Sequence, residues 1–188
     1  MNEAARQVVL LAENGEQCGT ALKEGVHTAQ TPLHLGFSCH VFNLHGQVLI
    51  TRRSLHKHTW PGVWTNSFCG HPQPGEDLED AVRRHARHEL GLTLEQVQLQ
   101  LPHFQYRAAD ASGIVENEIC PVFTATAATI PQMNPSEVCE LTWVLPEQLG
   151  TAVHAAPWVF SPWLVLQAQQ MPLYQEGREA RLSGRAPL

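Results

Sequence analysis

Between Trp60 and Leu92 the chain reads WPGVWTNSFCGHPQPGEDLEDAVRRHARHELGL, and this stretch restricts the fold more than any other. Its second half has the punctuation of one amphipathic helix. Asp77 can cap it, Asp80 sits in the first turn, and Gly91 can close it in the left-handed conformation. Leu78, Val82 and Ala86 are spaced to face a core, while His85 and Glu89 stand four residues apart on a helix surface. The first half is apolar and turning, through Trp60-Pro61-Gly62, Val63, Trp64 and Phe68, and it ends in Cys69 and His71. Two residues apart, these side chains share a face wherever the backbone is extended. A lone Cys is usually a small buried apolar residue. Flanked by Gly70, His71 and Pro72, Cys69 fits a site loop better than a regular strand. Just upstream, Arg52, Arg53 and Lys57 are the densest positive charge before the helix. Such clusters are normally solvated surface, yet Arg forks and Lys ammonium groups suit diphosphate oxygens, and Lys23 can join them only through tertiary folding.

A chain of 188 residues with 43% apolar content suits one domain, residues 1–188, with a real core. The basic, Gly- and Pro-containing tail from about residue 177 is expected to fray. The five Cys are odd in number and scattered, which suggests neither a disulfide framework nor a zinc ribbon. A net charge of -6 repels nucleic acid, so a small anionic substrate needs a local basic cluster or metal ions. No apolar run reaches membrane-spanning length, and the start MNEAARQ lacks the basic-then-apolar pattern of a leader. A cytoplasmic protein with no membrane or nucleic-acid partner is expected, and a monomer is favoured.

Elsewhere, strand signals dominate. Val8 to Ala12 precedes an Asn14-Gly15 turn, and Leu35 to Phe42 is joined to Gln47 to Arg53 by the hairpin signal Asn43-Leu44-His45-Gly46. Val97 to Leu101, His103 to Ala109 with Tyr106, and Val138 to Leu145 read as further strands. Helices follow from Pro146 and around Pro162, the latter offering Trp163, Val165 and Leu166 as apolar surface. His27 and His34 flank Pro32, which discourages one continuous helix, and spacing alone makes the pair ordinary. Glu116 and Glu118 point to one side of the strand that opens IVENEICPVFTATA. Alternating polar residues usually face solvent. Here the strand runs on into apolar residues, and two adjacent carboxylates repel unless solvated or shared by a cation. Metal is the economical explanation, with octahedral geometry favouring Mn2+ or Mg2+ and tetrahedral geometry favouring Zn2+.

The run Gly70-Glu76-Arg84-Glu89-Gly91-Leu92 keeps the frame of the Nudix box, G-x5-E-x7-R-E-U-x-E-E-x-G-U. His85 and His88 stand where a Nudix hydrolase carries carboxylates, so a diphosphate can be held without being cut. The segments TRRSLHKHTWPGVWTNSFCGHP, YRAADASGIVENEICPVF and PWVFSPW closely resemble type I isopentenyl-diphosphate isomerases of the Nudix superfamily, and the resemblance covers nearly the whole chain. It implies an α/β (α+β) fold, a Nudix-type mixed sheet core flanked by helices in a single compact domain. It also implies interconversion of isopentenyl and dimethylallyl diphosphate, the five-carbon units of isoprenoid synthesis. By resemblance, His27, His34, His71, Glu116 and Glu118 form one metal site, with Mn2+, Mg2+ or Zn2+. Glu89 and the substrate diphosphate hold a second ion, Mg2+. Lys23, Arg53 and Lys57 bind the diphosphate, Cys69 and Glu118 are the catalytic pair, Tyr106 hydrogen-bonds to Glu118, and Trp163 is an aromatic wall. Hydrolysis of a nucleoside diphosphate derivative is the rival enzymatic reading.

Overall fold

Two β-strands that each break in the middle organise the molecule, whose computed structural model describes residues 7–175. The tail expected to fray lies outside the described residues. In chain order the elements are β1 (Gln7–Leu11), β2 (Gln17–Leu22), a short α1 (Lys23–Val26), β3 (His34–Leu35), β4 (Phe37–Phe42), β5 (Val48–Arg53), β6 (Trp64–Thr65) and β7 (Phe68–Gly70). Then follow α2 (Leu78–Leu90), β8 (Leu94–Leu101), β9 (Gln105–Ala109), β10 (Val115–Ile119), β11 (Val122–Ala127), β12 (Val138–Val144), α3 (Pro146–Ala155) and α4 (Pro162–Gln170). One sheet has the order β2-β1-β3-β10-β9, the other β12-β5-β4-β11-β8, with β6 and β7 added on β5 and β4.

The expected strand from Leu35 to Phe42 is interrupted at Gly36, and the one through IVENEICPVFTATA at Cys120-Pro121. Pro121 has no N–H to give to a ladder. At Gly36 the reason is space: a Cβ there would lie 2.4 Å from Glu118 Oε2. The two breaks lie side by side. β3 pairs with β10 and β4 with β11, both in parallel, so two long chains cross together from the first sheet to the second. Gly36 N–H donates to the Ile119 carbonyl (2.9 Å) and Ser38 N–H to that of Pro121 (3.0 Å), which carries the pairing over the gap.

The second sheet is covered on both faces, and strand alternation assigns the sides. Phe37, Cys39 and Val41 of β4, Leu49 of β5 and Phe123 of β11 pack with Ala81, Val82, Ala86 and Leu90 of α2. Val48, Ile50 and Val122 point the other way, into a cluster with Leu149 of α3 and Trp163 and Leu164 of α4. The α2 boundaries are those its sequence indicates. Asp77 accepts from Glu79 N–H at 2.8 Å, and Gly91 adopts φ 60° while Leu92 N–H reaches back to the Ala86 carbonyl at 3.1 Å. Val82 and Ala86 are buried as expected; Leu78 is only partly buried, and Ala81 and Leu90 do more of the packing. Of the apolar surface expected on α4, Trp163 is buried with Leu164, Gln167 and Ala168, while Leu166 is 38% exposed.

Truncating fully buried Leu90 to Ala is expected to cost about 2–5 kcal/mol, through lost burial and a cavity. Asp77→Ala costs about 1 kcal/mol, through one unsatisfied N–H. Urea unfolding of the two variants measures both, and the larger loss must come from Leu90.

Candidate functional site

The seam between the two sheets carries the polar cluster. Register sets Glu118 of β10 beside His34 of β3 on one side and Tyr106 of β9 on the other. His27 arrives from the end of α1, and His71 from just past β7. The His71 carbonyl accepts from Arg84 Nη2 at 3.1 Å, and the Arg84 fork grips Glu76 at 2.6 and 2.7 Å, so α2 steadies the loop that carries His71.

Four ligand atoms, from His27, His34, His71 and Glu118, lie within 4.8 Å of one another. Glu118 Oε1 is 3.0 Å from His71 Nε2 and 3.4 Å from His34 Nε2, and the two nitrogens are 3.2 Å apart. Atoms bonded to one ion at about 2.1 Å are about 3.0 to 3.4 Å apart, so these are the edges of a coordination polyhedron. His27 Nε2 and Glu116 Oε2 approach to 3.0 Å, yet both lack an aligned hydrogen bond while buried. An orphaned buried acceptor is costly and is satisfied by an ion. His34 Nδ1 lies 2.9 Å from the Pro32 carbonyl, which can only accept, so Nδ1 carries hydrogen and Nε2 faces the cluster. The chain is therefore fitted for a divalent ion at this place.

Burial would raise Glu118, but hydrogen bonds from His34 and His71 and their charges hold its carboxyl well below the usual range. Burial lowers His34, and Glu118 outweighs it, so His34 is raised. At His71 burial prevails and the ring is lowered to about 4.

A cleft of about 480 Å³ opens on one side of this cluster. Of the residues singled out in the sequence, Lys23, His27, Arg53, Lys57, Cys69, His71, Tyr106, Glu116, Glu118 and Trp163 line it. His34 is fully buried and meets the cluster from behind. Arg53 donates to the Thr59 carbonyl (2.8 and 3.1 Å), with its guanidinium 5.3 Å from the Trp163 ring centroid. Lys57 pairs with Glu137, which also lines the cleft. Arg52, counted with this basic cluster, points away to Glu140 at 2.9 Å. Glu89 is not among the lining residues; it is buried on α2 and takes a 2.8 Å contact from His85 Nδ1. Burial opposes ionisation of Glu89, but His85, Lys57 and Lys23 lower it to about 2.

Cys69 and Trp163 meet at one atom. The Asn66 Oδ1 accepts from Cys69 Sγ (3.2 Å), from Trp163 Nε1 (3.0 Å) and from Thr65 Oγ1 (2.9 Å). Its amide group is committed to the Cys39 and Phe68 carbonyls, at 3.0 and 2.8 Å. Sequence reasoning passed over Asn66 and over Thr59, whose hydroxyl donates to Glu116 Oε1 at 2.7 Å. The available signal was a polar triplet, Thr65-Asn66-Ser67, between apolar Trp64 and Phe68. Burial pushes the Cys69 thiol up to about 12, with its hydrogen-bond contacts to Ser38 and Asn66 acting the other way. Burial and the charges of Glu118 and Glu116 raise Tyr106 well above its ordinary value, so it acts as a neutral hydroxyl.

The fold and the cluster define a Nudix protein: residues 32–164 match the family model described as the NUDIX domain. A solved structure from Deinococcus radiodurans superposes with a TM-score of 0.67 at 24% identity, covering 87% of this chain and 98% of that one. A protein from Agromyces mediolanus named isopentenyl-diphosphate Delta-isomerase is 60% identical, covering 95% of this chain and 87% of its own length. One of the same name from Clavibacter sepedonicus is 62% identical, covering 89% and 88%. The chain belongs to the isopentenyl-diphosphate Delta-isomerase family of Nudix proteins.

Gly36→Ala, which drives a methyl into Glu118, is expected to weaken Mn2+ binding about tenfold to a hundredfold, by displacing one ligand. Calorimetric titration of the variant and the parent reads this. In the metal-free protein, alkylation of Cys69 by iodoacetamide follows the thiolate fraction. A thiol raised to about 12 stays protonated at neutral pH, so the rate should climb about tenfold per pH unit through the alkaline range without a plateau. Mass spectrometry of the Cys69 peptide at successive pH values gives that profile.

Proposed function

We propose that the chain interconverts isopentenyl diphosphate and dimethylallyl diphosphate by moving one proton onto the alkene and another off it. The observation that carries this reading is a cleft lined by the thiol of Cys69, by a carboxylate, Glu118, and by the buried ring of Trp163. Relatives that share 60% and 62% of their aligned residues with this chain bear the isomerase name, which supports the same conclusion.

The reaction needs no oxidant. A proton adds to the terminal alkene carbon, a tertiary cation forms, and the neighbouring carbon loses a proton, so atoms and charge balance. Glu118, hydrogen-bonded within its cluster and set beside Tyr106, serves one side of the flat substrate, and Cys69 serves the other. Which of them donates depends on direction. The cation needs a site that excludes water and offers a π face, which can supply about 2 kcal/mol when desolvated. Trp163 is 2% exposed, with Tyr106 and Trp60 at centroid distances of 5.6 and 5.4 Å, so the wall is aromatic and dry.

Lys23, Arg53 and Lys57 hold the diphosphate at the cleft mouth, and this remote binding orients the alkene. His27, His34, His71, Glu116 and Glu118 hold the divalent ion, with Mn2+, Mg2+ and Zn2+ as the candidates. When bound, the ion supplies positive charge that keeps Glu118 placed and tunes its proton affinity. A second ion, Mg2+, would be held by Glu89 and would add positive charge for the diphosphate, although Glu89 is buried against His85 and does not line the cleft. Hydrolysis of a nucleoside diphosphate derivative is not favoured, because His85 occupies a carboxylate position of the Nudix box and its ring is packed under Gly70.

Incubation with Mn2+, Mg2+ and isopentenyl diphosphate in D2O is expected to give dimethylallyl diphosphate containing deuterium and no free phosphate. Cys69→Ala should lower turnover by at least about a thousandfold while diphosphate binding survives, since the thiol contributes to the chemical step and not to anchoring. Full turnover in that variant would remove Cys69 from the mechanism.

A further inference from the structure

Behind the cleft lie four polar side chains with no part in the chemistry above. Ser38, His40 and Gln167 are fully buried and Tyr174 is 4% exposed. They form a chain. Tyr174 Oη lies 2.6 Å from His40 Nδ1, His40 Nε2 lies 2.9 Å from Gln167 Oε1, and Gln167 Nε2 lies 2.9 Å from Ser38 Oγ. Ser38 Oγ in turn is 3.2 Å from Cys69 Sγ and 3.4 Å from Cys120 Sγ.

Counting donors fixes the direction of the links from Tyr174 to Ser38. The Tyr174 hydroxyl is buried and its hydrogen-bond partner is His40, so it donates to Nδ1. Burial lowers His40 to about 4, so the ring is neutral and its one hydrogen, on Nε2, goes to Gln167 Oε1. The Gln167 amide then donates to Ser38 Oγ. The Ser38 hydroxyl keeps one hydrogen and a second lone pair, and the sulfurs of Cys69 and Cys120 are the groups beside it. Reversing the chain would orphan the Tyr174 hydrogen, while the Cys69 hydrogen is already given to Asn66. An amide in the middle does not pass protons on, so the chain orients and does not conduct.

The same links close a ring. Trp163 and Gln167 are four residues apart on α4, hence on one helix face. Trp163 reaches Cys69 through Asn66, and Gln167 reaches it through Ser38. We propose that Gln167 and Ser38 are positioning residues for the isomerisation. Together with Asn66 they aim the Cys69 S–H bond and hold the sulfur at a fixed offset from the Trp163 ring. The inference rests on the reading of Cys69 as an acid–base group of the reaction.

The test is infrared spectroscopy of the S–H stretch combined with steady-state kinetics, on the metal-loaded full chain with isopentenyl diphosphate. The Cys69 band is the one missing from Cys69→Ala. Gln167→Met removes the donor that orients the Ser38 hydroxyl beside the thiol, so that band should broaden or split. The expected kinetic loss is about tenfold in kcat with KM unchanged to within about twofold, the scale of one misplaced hydrogen bond. Ser38→Ala, the smaller change, is measured in parallel in case the Met variant does not fold, and should shift the band and lower kcat in the same way. A purely structural role would lower the melting temperature and leave the band in place. If Cys69→Ala is inactive while band and kcat in the folded variants match the parent, the ring has no hold on the thiol and the proposal is overturned. Full activity in Cys69→Ala instead defeats the reading of the site on which it rests.

Discussion

A carboxylate taken out of water must be given a positive partner, and the structure around Glu118 answers that demand. Two imidazoles, His34 and His71, reach its Oε1 from different segments of the chain, and a third, His27, stands next to Glu116. Like-charged acids two residues apart on a buried strand would otherwise drive the seam open. Gly36 admits the side chain, Pro32 sets the His34 tautomer, and Arg84 steadies the loop of His71. The two-sheet architecture and the ion-binding chemistry are thus consequences of one placement.

Local signals were legible where one element sufficed. The α2 helix, with its Asp77 cap and left-handed Gly91, follows from its own residues, as does the hairpin between β4 and β5. The break at Gly36 was not legible, because it answers to Glu118, 82 residues later in a partner strand (118 − 36 = 82), whereas Pro121 announces its own break. His27 and His34 looked ordinary for a related reason: no spacing rule joins a loop, a strand and a turn that meet only after both sheets form. The resemblance of whole segments placed these residues in one set, where spacing had left them apart.

The β4 strand shows how a sound rule misleads. In Phe-Ser-Cys-His-Val-Phe the alternation is clean, and polar alternates are ordinarily the wet side. Here Ser38 and His40 are fully buried, because α4 covers that face and brings Gln167 to meet them. Alternation reports which residues share a face and says nothing of what lies over it. Buried polar groups on such a face must find partners, and the network they form is stiffer than the apolar packing it replaces.

The paired crossing at Gly36 and Pro121 bears on how the protein matures. The smaller sheet is stitched to the larger one along the seam whose side chains are arranged to receive an ion. The ligands come from both sides, for His34 and Glu118 stand on the smaller sheet and His71 just past β7 of the larger one. An ion held by all three would favour the docked arrangement by mass action, because only that arrangement brings the ligands together.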